Sequence, residues 1–277
     1  MLSENSICLE EISEIEISDF PFIQKFENNQ YRHIELYTKN DLEKVDHHPT
    51  WLFVIKDVVI FKCNIETQKI YYIPQKNFTD DLFNYWLTHI LLPIYFNMSN
   101  IYYFLHAGTV EFDGSAVLFM GHSHAGKSTL TNHLLQKKHP LICDDKLATY
   151  EKDGKFFAVP SHPYHRPYRG IEDLGLKANN FITYELPIGS IYDINPIQKE
   201  QPIKIEKLNG IEKFKCLRYS TEIDLPIYMK ERFEYITKMS NTIPIYKIYI
   251  PRDLDKLDEV YEEIKIHQKN LRRENDT

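Results

Sequence analysis

Gly121-His122-Ser123-His124-Ala125-Gly126-Lys127-Ser128-Thr129 decides how the rest of the chain is read. The run is a glycine, four free positions, Gly-Lys and a hydroxyl residue, the P-loop pattern. Ser115-Ala-Val-Leu-Phe-Met120 before it reads as a buried strand. Thr129-Leu-Thr-Asn-His-Leu-Leu-Gln136 after it has helical spacing, with Leu130, Leu134 and Leu135 on one side. A strand, a glycine-bearing turn and a helix start bring successive amides and the positive end of the helix dipole to one point, which suits phosphate. Lys127 supplies a mobile point charge there, and the Ser128 hydroxyl suits magnesium.

Outward from the loop, 277 residues are enough for a large core in one or two domains. A net charge of −7 argues against a general nucleic-acid binder. Cys8, Cys63, Cys143 and Cys216 are widely spaced with no CxxC pair, which fits reduced thiols and a cytoplasmic protein. The first residues lack a basic start followed by an apolar run, so no secretory signal is expected. The most apolar segment, residues 82–105, is broken by Asn84, His89, Pro93, Asn97, Ser99 and Asn100 and is too polar to span a membrane.

Two regions are expected: a small β-rich region over residues 1–78 and a P-loop domain over 79–277. In the first, Trp51–Ile55, Val58–Lys62 and Lys69–Ile73 are rich in β-branched and aromatic residues, as in an antiparallel sheet. Asp46-His47-His48 is read as a turn, because the further acid and His motifs of a metal site are missing. Asp80 to Tyr95 reads as a helix capped by Thr79 or Asp80, with Pro93 bending or ending it. Ile101–His106 and Thr109–Phe112 read as two strands, with a hairpin turn at Asp113-Gly114 before the P-loop strand. Leu141-Ile-Cys-Asp144-Asp145 is a short apolar strand ending in acid, where P-loop proteins hold magnesium. Leu147–Tyr150 and Lys155–Val159 suggest a hairpin about Asp153-Gly154, followed by a basic, Pro-rich loop at residues 161–170. The C-terminal third reads as strands and loops, ending in strand Ile245–Ile250 and a helix from Leu254 to about Gln268. A charged, frayed tail follows from Lys269.

Four blocks together resemble the HPr kinase/phosphorylase-like family of P-loop kinases. They are Leu105-His-Ala-Gly-Thr-Val-Glu-Phe-Asp-Gly114, the P-loop, Leu141–Asp145, and Pro244-Ile-Tyr-Lys-Ile-Tyr-Ile-Pro-Arg-Asp-Leu254 with the last helix. The resemblance runs over residues 82–266 and implies an α/β fold: a P-loop kinase core of HPr kinase C-terminal type with a small N-terminal antiparallel β region. His124 stands where the family usually has glycine. The family's Glu-Ile-Arg-Gly-Leu-Gly signature is missing, with a faint echo in Tyr168–Gly175, and so is the large N-terminal domain. The likeness is therefore nearer to shorter relatives that phosphorylate free serine or serine in precursor peptides than to enzymes acting on HPr itself.

The resemblance and the spacing imply ATP and magnesium as cofactors. Residues 121–129 bind nucleotide: Gly121, His122, Ser123, His124, Ala125, Gly126, Lys127, Ser128 and Thr129. Ser128, Asp144 and Asp145 serve the metal. One Asp orients magnesium, the other takes the acceptor hydroxyl's proton, and either order fits the sequence. His106 is expected at a strand end beside the loop, and Arg166 and Arg169 are candidates for the γ-phosphate or an anionic substrate. The acceptor is a serine-containing peptide, protein or free serine-like molecule, with no nucleic-acid or membrane partner, and homo-oligomers are allowed. No Asn-Lys-x-Asp motif of a GTPase and no Ser-Gly-Gly signature of an ABC-type ATPase is present. A nucleotide-sensing regulatory ATPase is the alternative that His124 leaves open.

Overall fold

The computed structural model describes residues 7–26, 32–167 and 170–275. They form two compact units. In unit 1, strands β1 (Cys8–Glu11), β2 (Phe22–Phe26), β3 (Ile34–Thr38), β4 (Thr50–Ile55), β5 (Val59–Asn64) and β6 (Lys69–Pro74) make one sheet. Its order is β1-β6-β5-β4-β3-β2, antiparallel except where β1 runs parallel to β6. Trp51, Phe53, Ile55, Phe61 and Ile70 are fully buried, and Leu52 is buried on the opposite face of β4.

Thr79 opens helix α1 (Asp80–Trp86), its Oγ1 accepting from the Leu82 amide at 3.2 Å. Phe83 of α1 packs on Tyr72 at 4.7 Å and on Phe61 at 5.6 Å between ring centroids. The helix passes through one π turn (Leu87–Leu91) before α2 (Leu92–Met98). Pro93 has no amide to offer the preceding turn, and such local widening is a known way to absorb that loss. The predicted helix therefore does not end at the proline but runs on, through the π turn, to Met98. Glu172, from the separate segment Gly170–Leu174 of this unit, accepts from Arg32 Nε and from Trp86 Nε1, each at 2.9 Å.

Unit 2 carries the P-loop. Its strands are β7 (Tyr103–Phe112), β8 (Ser115–Met120), β9 (Leu141–Lys152), β10 (Lys155–Val159), a short pair β11 (Tyr164–His165) and β12 (Leu176–Lys177), β13 (Leu186–Ile197), β14 (Lys204–Lys207) and β15 (Ile245–Pro251). The helices are α3 (Lys127–Gln136), α4 (Ile211–Tyr219), α5 (Met229–Thr242) and α6 (Leu257–Asn275). The main sheet is ordered β10-β9-β7-β8-β13-β15-β14, and β10 also bonds β13 through Phe157 opposite Pro187 and Ala158 opposite Leu186. Strands β8, β13 and β15 are parallel.

Both faces of this sheet are covered, which is why its central strands read as unbroken apolar runs. Ala116, Leu118, Met120 and Ile191 share a core with Leu217 of α4 and Met239 of α5. Val117, Phe119, Tyr192 and Ile248 share the other with Leu130 and Leu134 of α3 and Val260 and Ile264 of α6. The result is a mixed α/β protein with a small N-terminal antiparallel sheet, as predicted.

Several elements differ from the sequence reading. The strands expected at residues 101–106 and 109–112 are one strand, β7, because Gly108 lies under α3 instead of breaking the chain: a Cβ there would sit 2.1 Å from Thr131 Oγ1. Strand β9 does not stop at the acids but continues to Lys152, with Asp145 held at φ 103°. Helices α4 and α5 fall where strands and loops were expected. Helix α6 extends to Asn275, through most of the expected tail, and Leu271 packs on the α3/α6 core.

Candidate functional site

The loop after β8 adopts the backbone that a phosphate cradle needs. Positive φ angles occur at Gly121 (148°), His124 (65°) and Gly126 (102°), and the Ala125 amide bonds the His122 carbonyl at 3.1 Å. Gly126 is the N-cap of α3, and a Cβ there would meet nothing within 4 Å. Lys127, the first residue of α3, is 7% exposed; its Nζ donates to the carbonyls of Gly121 at 2.8 Å and His122 at 3.3 Å. Ser128 and Thr129 are half-buried in the same turn, while His122, Ser123 and His124 are exposed.

The acids lie two strands away on β9, and β7 between them supplies the link. Side chains alternate along a strand, so His106 and Gly108 share one face of β7, the face Thr131 of α3 packs against. A Cβ on Gly108 would be 3.7 Å from Asp144 Oδ1, which locates that carboxylate beside the second turn of α3. Asp144 is 3% exposed, and its Oδ2 accepts from the Arg166 amide at 2.8 Å. Burial raises its pKa above the ordinary carboxylate value, with the Asp145 charge adding to the rise and the Arg166 amide opposing it. Asp145 turns elsewhere. Its Oδ2 accepts from the Arg166 guanidinium, and its Oδ1 lies 3.1 Å from His106 Nδ1.

Structure thus gathers His106, Asp144, Asp145 and Arg166 into one group, and forms the loop of residues 121–129 beside the same helix. Arg169 lies outside the described residues. The two Asp residues, alike in sequence, have different surroundings: one faces α3, the other faces His106 and Arg166.

Three features escaped the sequence. Glu222 Oε2 accepts from His106 Nδ1 at 2.8 Å, and its Oε1 lies 3.2 Å from Lys146 Nζ. Burial alone would raise the Glu222 pKa, but the His106 hydrogen bond and the Lys146 charge outweigh it and hold the group below its ordinary value. Nothing in Ser-Thr-Glu-Ile announces this; it depends on pairing of the chain after α4 with β7, through His106 N to Ser220 O at 2.7 Å and Glu222 N to Phe104 O at 3.1 Å.

Asp193 is level with Met120 at the P-loop end of β13 and is 7% exposed; the Tyr219 hydroxyl donates to it. The Tyr219 ring stacks on His122 with centroids 4.7 Å apart. Here a signal existed: Ile191-Tyr-Asp193 is another apolar strand running into an acid. His162, buried on the Arg166 side, has its pKa lowered to about 4, chiefly by desolvation and then by the Arg166 charge.

These parts suit an anion on the loop and a cation or proton at the carboxylates. The open space at Gly126, the turned backbone and the Lys127 ammonium fit phosphates. A buried carboxylate whose charge is penalised by desolvation is one that a divalent cation relieves, so Asp144 fits magnesium. Among the described residues, no cluster of three or more His, Cys, Asp or Glu could hold a metal by itself, so magnesium here would need phosphate oxygens as well.

Comparison with known proteins gives a local likeness. Over 51 residues the chain is 41% identical to the HPr kinase/phosphorylase of Lactobacillus johnsonii, and to that of Lactobacillus gasseri, a match covering 18% of this chain and 16% of each relative. The chain thus spans about a sixth of the length of the curated relatives it matches. The Hpr(Ser) kinase/phosphatase from Coxiella burnetii superposes with a TM-score of 0.39 and 14% identity, over 61% of this chain and 98% of that one. No family model matches. No helix among the described residues is long and apolar enough to cross a membrane.

Proposed function

We propose that this protein is an ATP-dependent, serine-type kinase that works in the cytoplasm and forms a phosphate monoester on a hydroxyl of a peptide, a protein or a free serine-like molecule. The observation that carries the reading is the pairing of a P-loop with two adjacent carboxylates in unlike settings, Asp144 against α3 and Asp145 against His106 and Arg166. The local likeness to HPr kinase/phosphorylase supports the same class.

Bound ATP-magnesium would supply the phosphoryl group and neutralise its developing charge. The amides of residues 121–127 would hold the phosphates, and Lys127, now on the Gly121 and His122 carbonyls, would offer its ammonium to the phosphate oxygens. Ser128 and Asp144 would hold the metal. Asp145 accepts the acceptor hydroxyl's proton, and Arg166, together with Arg169, steadies the transferred group. His106 Nδ1 donates to Glu222 and lies 3.1 Å from Asp145 Oδ1, so one imidazole edge borders both carboxylates. A hydroxyl needs this base; an amine, already nucleophilic, would not.

The test incubates the protein with labelled ATP and free serine, serine-containing peptides or HPr. Acid-stable label on a serine hydroxyl supports the proposal, and acid-labile label or released phosphate with every acceptor rejects it. One observation favours a regulatory ATPase as the second reading: His124, an exposed non-glycine residue, holds a left-handed conformation inside the loop at φ 65°.

A further inference from the structure

The chain leaving α4 lies along β7 as a short extra strand. The Ser220 carbonyl accepts from the His106 amide, the Glu222 amide donates to the Phe104 carbonyl, and Leu105 pairs with Thr221 between them. In this antiparallel register Glu222 stands diagonal to His106 on the same face, within reach of a long side chain. The Glu222 side chain is only 23% exposed, and both its oxygens are engaged: Oε2 with His106 Nδ1 at 2.8 Å, Oε1 with Lys146 Nζ at 3.2 Å. A largely buried charge pair of this kind is weak evidence for stability, so packing alone gives no reason for it.

His106 Nδ1 has a second carboxylate beside it, Asp145 Oδ1 at 3.1 Å. Ionised carboxylates only accept, so Nδ1 carries the hydrogen. One hydrogen thus faces two acceptors, and the hydrogen bond goes to the nearer, Glu222. We propose that Glu222 is a positioning residue of the transfer step: it claims the Nδ1 hydrogen of His106 and keeps it off Asp145. The inference rests on the reading of Asp145 as the group that takes the acceptor hydroxyl's proton.

The reason is chemical. A carboxylate oxygen that accepts a hydrogen bond is a poorer taker of a proton. Arg166 already engages Asp145 Oδ2, so a hydrogen bond from His106 on Oδ1 would occupy both oxygens of the base. Glu222 prevents that by offering the imidazole a competing acceptor. Lys146 and His106 together hold Glu222 ionised against the cost of its burial, so the competitor is present at neutral pH. Without Glu222, Asp145 is the carboxylate left beside the Nδ1 hydrogen.

Steady-state transfer tests this on the full-length wild type, Glu222→Ala, Glu222→Gln, Asp145→Asn and the double variant of Asp145→Asn with Glu222→Ala. The acceptor is whichever of free serine, serine-containing peptides or HPr the wild type labels, and thermal melts verify folding. Glu222→Ala alone should lower kcat about tenfold and leave the KM for ATP unchanged. Glu222→Gln, whose amide oxygen still accepts from Nδ1, should recover most of that loss. In the Asp145→Asn background, where no base remains to protect, Glu222→Ala should cost nothing further. An equal loss in both backgrounds, or a Gln variant as slow as the Ala one, overturns the inference while the kinase reading stands. Nitrogen-15 NMR of the histidine-labelled wild type needs neither activity nor a variant: an imidazole of His106 without a hydrogen on Nδ1 overturns the inference. Absence of transfer by the wild type to every one of these acceptors overturns the kinase reading, and this inference with it.

Discussion

Asp144 shows how a single side chain carries opposing demands. Desolvation raises its pKa, so the carboxylate contributes stability below the ordinary carboxylate pKa and that contribution is lost as pH rises through the raised value. At neutral pH its charge is a cost. Asp144→Asn keeps an oxygen for the Arg166 amide and removes the charge, so the variant should melt above the wild type while its transfer rate and magnesium dependence fall; a melt no higher than the wild type's would contradict the burial argument. Asp145→Asn should behave differently, keeping ATP affinity and losing ~10²–10⁴ in rate, the usual range for a general base. Single-turnover transfer measured beside equilibrium ATP binding separates the two. In the loop, His124→Gly relieves a left-handed residue at φ 65° and should stabilise by up to ~1 kcal/mol without reducing nucleotide affinity. A large loss of affinity would show that the imidazole touches the ligand.

Elements meet at fixed distances, and Gly108 sets one of them. Its missing Cβ lets α3 approach β7 until Thr131 Oγ1 occupies that space. Gly108→Ala should cost about 1–3 kcal/mol, as overpacking does, and weaken nucleotide binding because α3 must move away. Thr131 Oγ1 is buried without a hydrogen-bond partner, so Thr131→Ala removes little, and a Cβ on residue 108 would then meet the residue-131 Cβ at 3.4 Å. The double variant should therefore regain most of the loss in urea melts; simple additivity would refute the steric account. The same glycine explains one limit of sequence reading, since it looked like a break between strands and is a contact point within one. What was legible followed from local pattern: β8, α3, the β5–β6 hairpin and β15 all carry their period in a dozen residues. Asp144, Asp145 and Arg166 were legible as candidates, and the fold brings them together. Glu222 was not, because its partner His106 lies 116 residues away and only long-range pairing brings them together. Helices α4 and α5 were missed for another reason: each buries few residues, Cys216 and Leu217 in α4, so their apolar stripe is thin.

At the scale of the molecule, stability should fall on acidification. His162 is neutral when folded, with a pKa of about 4 against 6.5 when unfolded, so between those values the unfolded chain binds the extra proton. Stability is therefore lost as pH drops through that window, by up to about 3 kcal/mol at ~1.36 kcal/mol per unit. Glu222, held below its ordinary value, adds to the loss at the acid end, and Asp144 opposes it. His162→Asn keeps an acceptor for the Tyr164 amide, which bonds His162 Nδ1 at 3.3 Å, and should flatten the slope of melting temperature between pH 7 and 4.5. An unchanged slope would assign the pH dependence to other groups. The double pairing of β10, to β9 and to β13, has a consequence of another kind. It curls that end of the sheet into a ring, so that among the described residues the main sheet keeps one open margin, β14. That margin is Lys204-Ile-Glu-Lys207, four residues with three charges, a poor template for a strand from a neighbouring molecule. The main sheet thus limits its own route to fibrillar association: one side is sealed by closure, and the other is guarded by short length and like-charged lysines.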